Sequence, residues 1–192
     1  TKSIEINKYS YANYEKVGTI LSSADFKPDG KTAITFDDYQ FSSDETKILL
    51  ATEQESIYRH SSKSNYYIYD IASKKISPLS DFSLGKQRLA DFSPNGNKVA
   101  FVRENNIFIN DLSAKKEVTV TTDGKMNEII NGGTDWVYEE EFGFDKGFYW
   151  APDGNKIAYY RFDESKVKEF QMETYGTLYP DRFVFKYPKA GE

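Results

Sequence analysis

The chain has 192 residues, 39% hydrophobic and 29% charged, with a formal net charge of −5; that is enough for one domain with a real core. No basic stripe is present, which argues against nucleic acid as a partner, and no apolar run reaches the roughly 18 residues that a membrane-spanning helix needs. There is no cysteine, which excludes disulfides and thiolate chemistry; no secretory signal is visible within it, and the abrupt start at Thr1 reads as the edge of a processed or excised piece.

The 15 Tyr and 14 Phe, with Thr, Val and Ile in short runs, lean toward β structure. In chain order, Asp25-Phe26-Lys27-Pro28-Asp29-Gly30-Lys31 reads as an ordinary hairpin turn. Phe41-Ser42-Ser43-Asp44-Glu45-Thr46-Lys47 then leads into the apolar run Ile48-Leu49-Leu50. Tyr67-Ile68-Tyr69-Asp70 is a strand with a polar turn after it, followed by an outer strand from Ile76 to Leu79. The same sequence of features returns. Phe92-Ser93-Pro94-Asn95-Gly96-Asn97-Lys98 precedes Val99-Ala100-Phe101, and Ile107-Phe108-Ile109-Asn110-Asp111 precedes an outer strand from Glu117 to Thr121. A third copy of the turn is Trp150-Ala151-Pro152-Asp153-Gly154-Asn155-Lys156, ahead of Ile157-Ala158-Tyr159. The chain closes with a mixed polar stretch to Tyr179-Pro180, a strand-like Arg182–Lys186, and Tyr187-Pro188-Lys189-Ala190-Gly191-Glu192, which reads as a linker between blades.

The three turn copies superimpose without gaps. Pro sets φ near −65°, and Asn-Gly or Asp-Gly accepts the positive φ of a tight hairpin. The aromatic ends one strand, and the bare apolar run is a strand buried on both faces. Two hairpins per period make a four-stranded unit of roughly 40–50 residues, a propeller blade. The reading is an all-β partial β-propeller of about three to four blades, a portion of a larger ring, with an open sandwich as the alternative.

The irregular spacings are informative. Phe92 to Asp111 is 19 residues but Phe41 to Asp70 is 29, so the first copy carries ten extra residues within Ala51–Asn65. Asp70 to Phe92 is 22 residues but Asp111 to Trp150 is 39, an excess of 17 that contains Asn131-Gly132-Gly133-Thr134-Asp135-Trp136-Val137-Tyr138-Glu139-Glu140-Glu141-Phe142. Loops positioned by a rigid scaffold are where binding residues concentrate. The two insertions, one with Arg59-His60 and the other with three consecutive glutamates, are the place to look for function.

Gly132-Gly133 frees the backbone, and Thr134 or Asp135 can cap a short helix through Trp136–Phe142. Acids set against Trp136, Tyr138 and Phe142 suggest a pocket for a cation. Adjacent helical side chains diverge by about 100°, so the three carboxylates cannot meet at one point, though two neighbours can bracket a small cation. A primary ammonium, with three donors and no acceptor, suits such a pair. The plainer reading is a solvated acidic helix start that complements the helix dipole. Arg59 offers a permanently charged fork for a carbonyl or carboxylate, against a plain surface ion pair. His60, the only histidine, reads more simply as a satisfied loop residue than as a base. No alternating acidic calcium loop, two-histidine metal pattern or Gly-x-Ser-x-Gly elbow is present. No metal, cofactor or catalytic residue is therefore expected within this chain.

Asp135-Trp136-Val137-Tyr138-Glu139-Glu140-Glu141 closely resembles the double-glutamate motif of the dipeptidyl peptidase IV family of serine peptidases. Tyr58-Arg59-His60-Ser61, Trp150-Ala151-Pro152-Asp153-Gly154 and Tyr187-Pro188-Lys189-Ala190-Gly191 are similar to the same family's N-terminal propeller. The likeness covers most of residues 35–191. It implies that residues 1–192 are part of that propeller and that the α/β-hydrolase domain with the Ser, Asp and His triad lies outside this chain. By position it puts the amine-binding pair on Glu140 and Glu141 and the carbonyl-binding arginine on Arg59, with Glu139, Tyr138, Trp136 and His60 as supporting residues. Phe142-Gly143 departs from the mammalian pattern, which has the aromatic one place later. The implied activity is release of N-terminal dipeptides with Pro or Ala second. A prolyl tripeptidyl peptidase or a non-enzymatic interaction propeller is the alternative. Implied partners are peptides with a free N-terminus, the chain's own hydrolase domain and a second full-length copy. The implied location is extracytoplasmic, in a bacterium.

Overall fold

The computed structural model describes residues 3–191. Thr1, and Glu192 at the end of the expected linker, lie outside the described residues. Strands β1 (Glu5–Tyr9) and β2 (Lys16–Ser22) form a hairpin. Next come two four-stranded antiparallel meanders. The first is β3 (Asp38–Phe41), β4 (Lys47–Ser56), β5 (Ser62–Asp70) and β6 (Lys75–Pro78). The second is β7 (Arg88–Phe92), β8 (Lys98–Arg103), β9 (Asn106–Asp111) and β10 (Lys116–Thr119). These are two complete propeller blades.

The three repeated turns close identically. The backbone N–H of Ser42, Ser93 and Ala151 donates to the carbonyl of Lys47, Lys98 and Lys156 at 2.9, 2.8 and 2.8 Å. Within each, a left-handed residue (Glu45, Gly96 or Gly154) sends its N–H back to the residue that opens the turn. The expected hairpin at Asp25–Lys31 is only partly realised. Gly30 N–H closes a turn on Lys27 O, but no strand flanks it; residues 23–37 are the connection from β2 to β3. Its Phe26 is fully buried and helps seal the first hairpin onto the first blade.

Strand alternation builds the core between sheets. Ile48 and Leu50 of β4 face Ile6, Leu21, Phe26 and Phe36, while Leu49 joins Phe92, Val99 and Phe101 of the next blade. Ala100 and Val102 of β8 in turn face Phe148. The apolar runs of β4 and β8 are thus buried on both sides, as their composition predicts.

The third unit differs. Strands β11 (Ile129–Asn131) and β12 (Phe148–Trp150) are separated by the helix α1 (Trp136–Phe142), and both pair with one nearly continuous stretch, β13 (Ile157–Tyr159) and β14 (Arg161–Asp163). It is a hairpin whose outgoing strand is interrupted by an excursion. Ala158 and Tyr159 are exposed, so this copy of the apolar run is covered on one side only. A last hairpin, β15 (Glu169–Thr174) with β16 (Asp181–Lys186), follows. β15 falls in the stretch read from sequence as merely polar.

Candidate functional site

The excursion between β11 and β12 leaves and returns at one point. Gly132 N–H donates to Tyr160 O at 3.0 Å, Tyr160 N–H to Gly147 O at 2.8 Å, and Gly147 N–H to Gly132 O at 2.9 Å. Glycine is required for this neck. A Cβ on Gly147 would lie 2.6 Å from Gly133 O, and Gly132 has φ +72° with a side chain of Ile107 2.7 Å from where its Cβ would be.

The helix at the tip of the excursion has seven residues, too few to hold together unaided. Its sequence supplies the ends. The Asp135 side chain accepts the Tyr138 N–H at 2.9 Å, and Gly143 stops the helix in the left-handed conformation. Packing supplies the rest. Trp136 lies against Phe185 and Tyr187 at ring separations of 5.9 and 5.0 Å. Tyr138 meets Phe162 of β14 at 4.8 Å and Phe144 at 5.6 Å. These rings anchor the helix to β14 and β16 instead of walling the carboxylates. Phe142 covers Tyr138 from outside and is itself 66% exposed.

The other insertion is a lengthened hairpin. β4 and β5 run on past a bulge at Thr52–Glu55 to Ser56 and Ser62, with Ile57 N–H closing the tip on Ser61 O at 2.9 Å. Tyr58 of this arm packs on Phe183 and Phe185 of β16. The arm therefore shares an aromatic support with the helix, and the two insertions meet.

The three glutamates divide as their angular spacing requires. Glu139 points inward and is 2% exposed. Its Oε1 accepts the backbone N–H of His60 at 2.8 Å and of Ser61 at 2.9 Å. His60 thus joins the site through its main chain. Glu140 points along the junction, and its Oε1 lies 2.8 Å from Arg59 Nη1. Glu141 is exposed. A largely shielded carboxylate beside an open one, with a guanidinium in reach, can accept an ammonium and offer a donor to a neighbouring carbonyl.

Behind the helix is a cavity of ≈ 310 Å³, lined in part by Tyr58, Arg88, Thr134, Asp135, Trp136 and Glu164. Burial lowers the Arg88 pKa, against the pull of the Asp145 and Glu139 carboxylates. Burial first, then Asp135, pushes Glu164 up to about 7. Burial, with Glu164 adding to it, pushes the Tyr58 phenol up to about 12. Arg88, Glu164 and the two arm amides escaped the sequence reading. Backbone donors have no sequence signature, and a lone Arg at the start of a strand or a lone Glu just past one reads as surface.

Fold and insertions together define a portion of a β-propeller that presents an acidic helix on an excursion from one blade. The chain belongs to the dipeptidyl peptidase IV (DPP IV) N-terminal region family, whose model matches residues 42–192. Among solved structures, the crystal structure of Porphyromonas gingivalis dipeptidyl peptidase 4 is similar over 97% of this chain and 26% of that one, with a TM-score of 0.88 and 44% identity. Dipeptidyl aminopeptidase B of Saccharomyces cerevisiae is 35% identical over 174 residues, 85% of this chain and 21% of its own length. Dipeptidyl-aminopeptidase B of Aspergillus niger is 34% identical over 94% of this chain and 21% of its own length. The chain thus spans about a fifth of the curated relatives it matches.

Proposed function

We propose that this chain is the substrate-selecting propeller portion of a serine dipeptidyl peptidase that releases N-terminal dipeptides with Pro or Ala second. In this reading Glu140 and Glu141 bind the peptide's free α-amine and Arg59 binds the carbonyl of the second residue from the cut. The observation that carries it is the 2.8 Å pair of Arg59 with Glu140 at the meeting of two separate insertions. Adjacent glutamates repel one another when no ligand is bound, and a guanidinium on one of them offsets that repulsion. The Arg59 side chain is 72% exposed, so the pair is worth under about 1 kcal/mol and yields readily to an incoming ammonium. A helix anchored by rings, by Glu139 and by its cap holds the amine at a fixed distance from a nucleophile, which makes the site a ruler for peptide length.

The same reading puts the Ser, Asp and His triad in an α/β-hydrolase domain outside this chain, so that the chain alone is inactive. Its partners are peptides with a free N-terminus, that hydrolase domain and a second full-length copy. An extracytoplasmic location in a bacterium is part of the proposal, supported by the likeness to the Porphyromonas gingivalis protein. Among the described residues no helix is long and apolar enough to cross a membrane.

In the whole protein, Glu140→Gln or Glu141→Gln should lower kcat/KM for free-amine dipeptide substrates by about 100-fold, as expected for losing a charge-assisted contact. Arg59→Ala should cost about tenfold. Acetylating the substrate amine should reproduce the glutamate loss in the wild type and add little in the variants. Near-normal turnover by the glutamate variants would end the assignment.

A further inference from the structure

We propose that Arg88 is a positioning residue whose buried positive charge, and no hydrogen bond, holds Glu139 and with it the junction of arm and helix. Arg88 opens β7 on the second blade, outside both insertions, yet it lines the cavity behind the helix with Tyr58, Thr134 and Asp135. Its Nη1 comes 3.7 Å from where a Cβ on Gly133 would lie, beside the neck of the excursion. Lying between the neck at Gly133 and the helix start at Thr134 and Asp135, it is within electrostatic reach of Asp145 on the returning leg and, less strongly, of Glu139 on the helix.

The charge balance of the junction requires such a group. Glu139 is buried and satisfies two arm amides with one oxygen, but hydrogen bonds alone do not neutralise a buried carboxylate. Arg59 lies on the outer, solvent-exposed side, where it pairs with Glu140. Arg88 is placed to supply the opposite charge from within. Its Nε and Nη2, the edge that would grip a carboxylate in bidentate fashion, are buried without a hydrogen-bond partner. An arginine does not shed its proton in a protein, so what this side chain contributes there is charge. A lysine should therefore replace it, which would not hold for a bidentate clamp. The other charged groups on the cavity wall do not take the place of Arg88: Asp135, Glu164 and Glu104 carry the wrong sign, Lys63 and Lys86 are paired with Glu55, Arg103 with Glu117, and Lys186 with Glu169.

The test is hydrogen exchange by mass spectrometry on the whole protein, read at the peptide covering His60 and Ser61. Arg88→Met should speed exchange there by about tenfold or more, and Arg88→Lys should restore most of the protection. In a Glu139→Gln background, which keeps the acceptor and removes the charge, Arg88→Met should change exchange by less than about twofold. Wild-type exchange in Arg88→Met, equal exchange in the Lys and Met variants, or the same Met effect in the Glu139→Gln background would each overturn the proposal. Should Arg88→Met fail to fold, recovery of the fold in the double variant supports it and continued failure overturns it. The activity arm rests on the proposed function: Arg88→Met should raise KM for free-amine substrates more than it lowers kcat, with recovery by Arg88→Lys. An exchange effect with unmoved kinetics supports the charge role of Arg88 and tells against the amine-binding reading, so the two fail separately.

Discussion

Glu164 shows how one buried group can tune the support behind the site. It is 8% exposed, and its pKa rises from 4.5 to about 7 because burial and then the Asp135 carboxylate disfavour its charged form, with Lys186 pulling the other way. A folded value above the unfolded one means that the native state holds the proton more tightly. The contribution to stability is therefore full below about 4.5 and is lost as pH rises through about 7. Allowing for solvent screening, Glu164 should cost the wild type about 1–2 kcal/mol between about pH 5 and about pH 8, and Glu164→Gln should remove that part of the slope. Urea unfolding of both proteins at the two pH values measures it; parallel pH dependence would show that Glu164 does not titrate as stated. At this scale the sequence is legible where the physics is local. A cap at Thr134 or Asp135 and the divergence of neighbouring glutamates follow from residue type and spacing; which of the two caps the helix is fixed by the Asp135 side chain accepting the Tyr138 N–H. That Glu139 turns inward does not, because its partners are amides 78 and 79 residues away in the chain.

Among the elements, the turns give the sharpest comparison. Three copies share one hydrogen-bond pattern, but the left-handed position holds Gly96 (φ 67°), Gly154 (φ 68°) and, in the first blade, Glu45 (φ 56°). A side chain in that region costs about 1–2 kcal/mol, partly offset by the greater unfolded freedom of glycine. Glu45→Gly should thus stabilise the protein by about 0.5–1 kcal/mol, seen as a higher urea midpoint at unchanged m; an unchanged or lower midpoint would contradict it. These turns could be read in advance because Pro, Asp and Gly state their own dihedral preferences. β15 could not. All six of its residues are exposed, so its strand form rests on pairing with β16, and no buried face leaves a mark on its sequence. The lengthened arm and the helical excursion were visible as excess length, but their contact through Tyr58, Trp136 and β16 exists only once the blades are stacked.

For the whole molecule, the decisive feature is that each sheet is covered by its neighbours. β4 and β8 bury both faces because a sheet lies on either side. The flanking pieces have cover on one side only: Tyr149, Tyr159 and Tyr160 are 54%, 43% and 53% exposed on the third unit, and Tyr9 and Val17 are 59% and 63% exposed on the first hairpin. Exposed rings beside strand edges with unpaired backbone groups favour pairing between chains, and a net charge of −5 spread over this surface gives only weak repulsion at physiological salt. Produced on its own, the chain should therefore self-associate as concentration rises, visible as increasing weight-average mass in light scattering. Replacing Tyr149 and Tyr159 with lysine should weaken that association, since both are exposed on the paired strands β12 and β13 and neither belongs to the three buried core clusters. A monodisperse monomer for the unaltered chain across that range would mean that the open faces are closed by a rearrangement of the third unit.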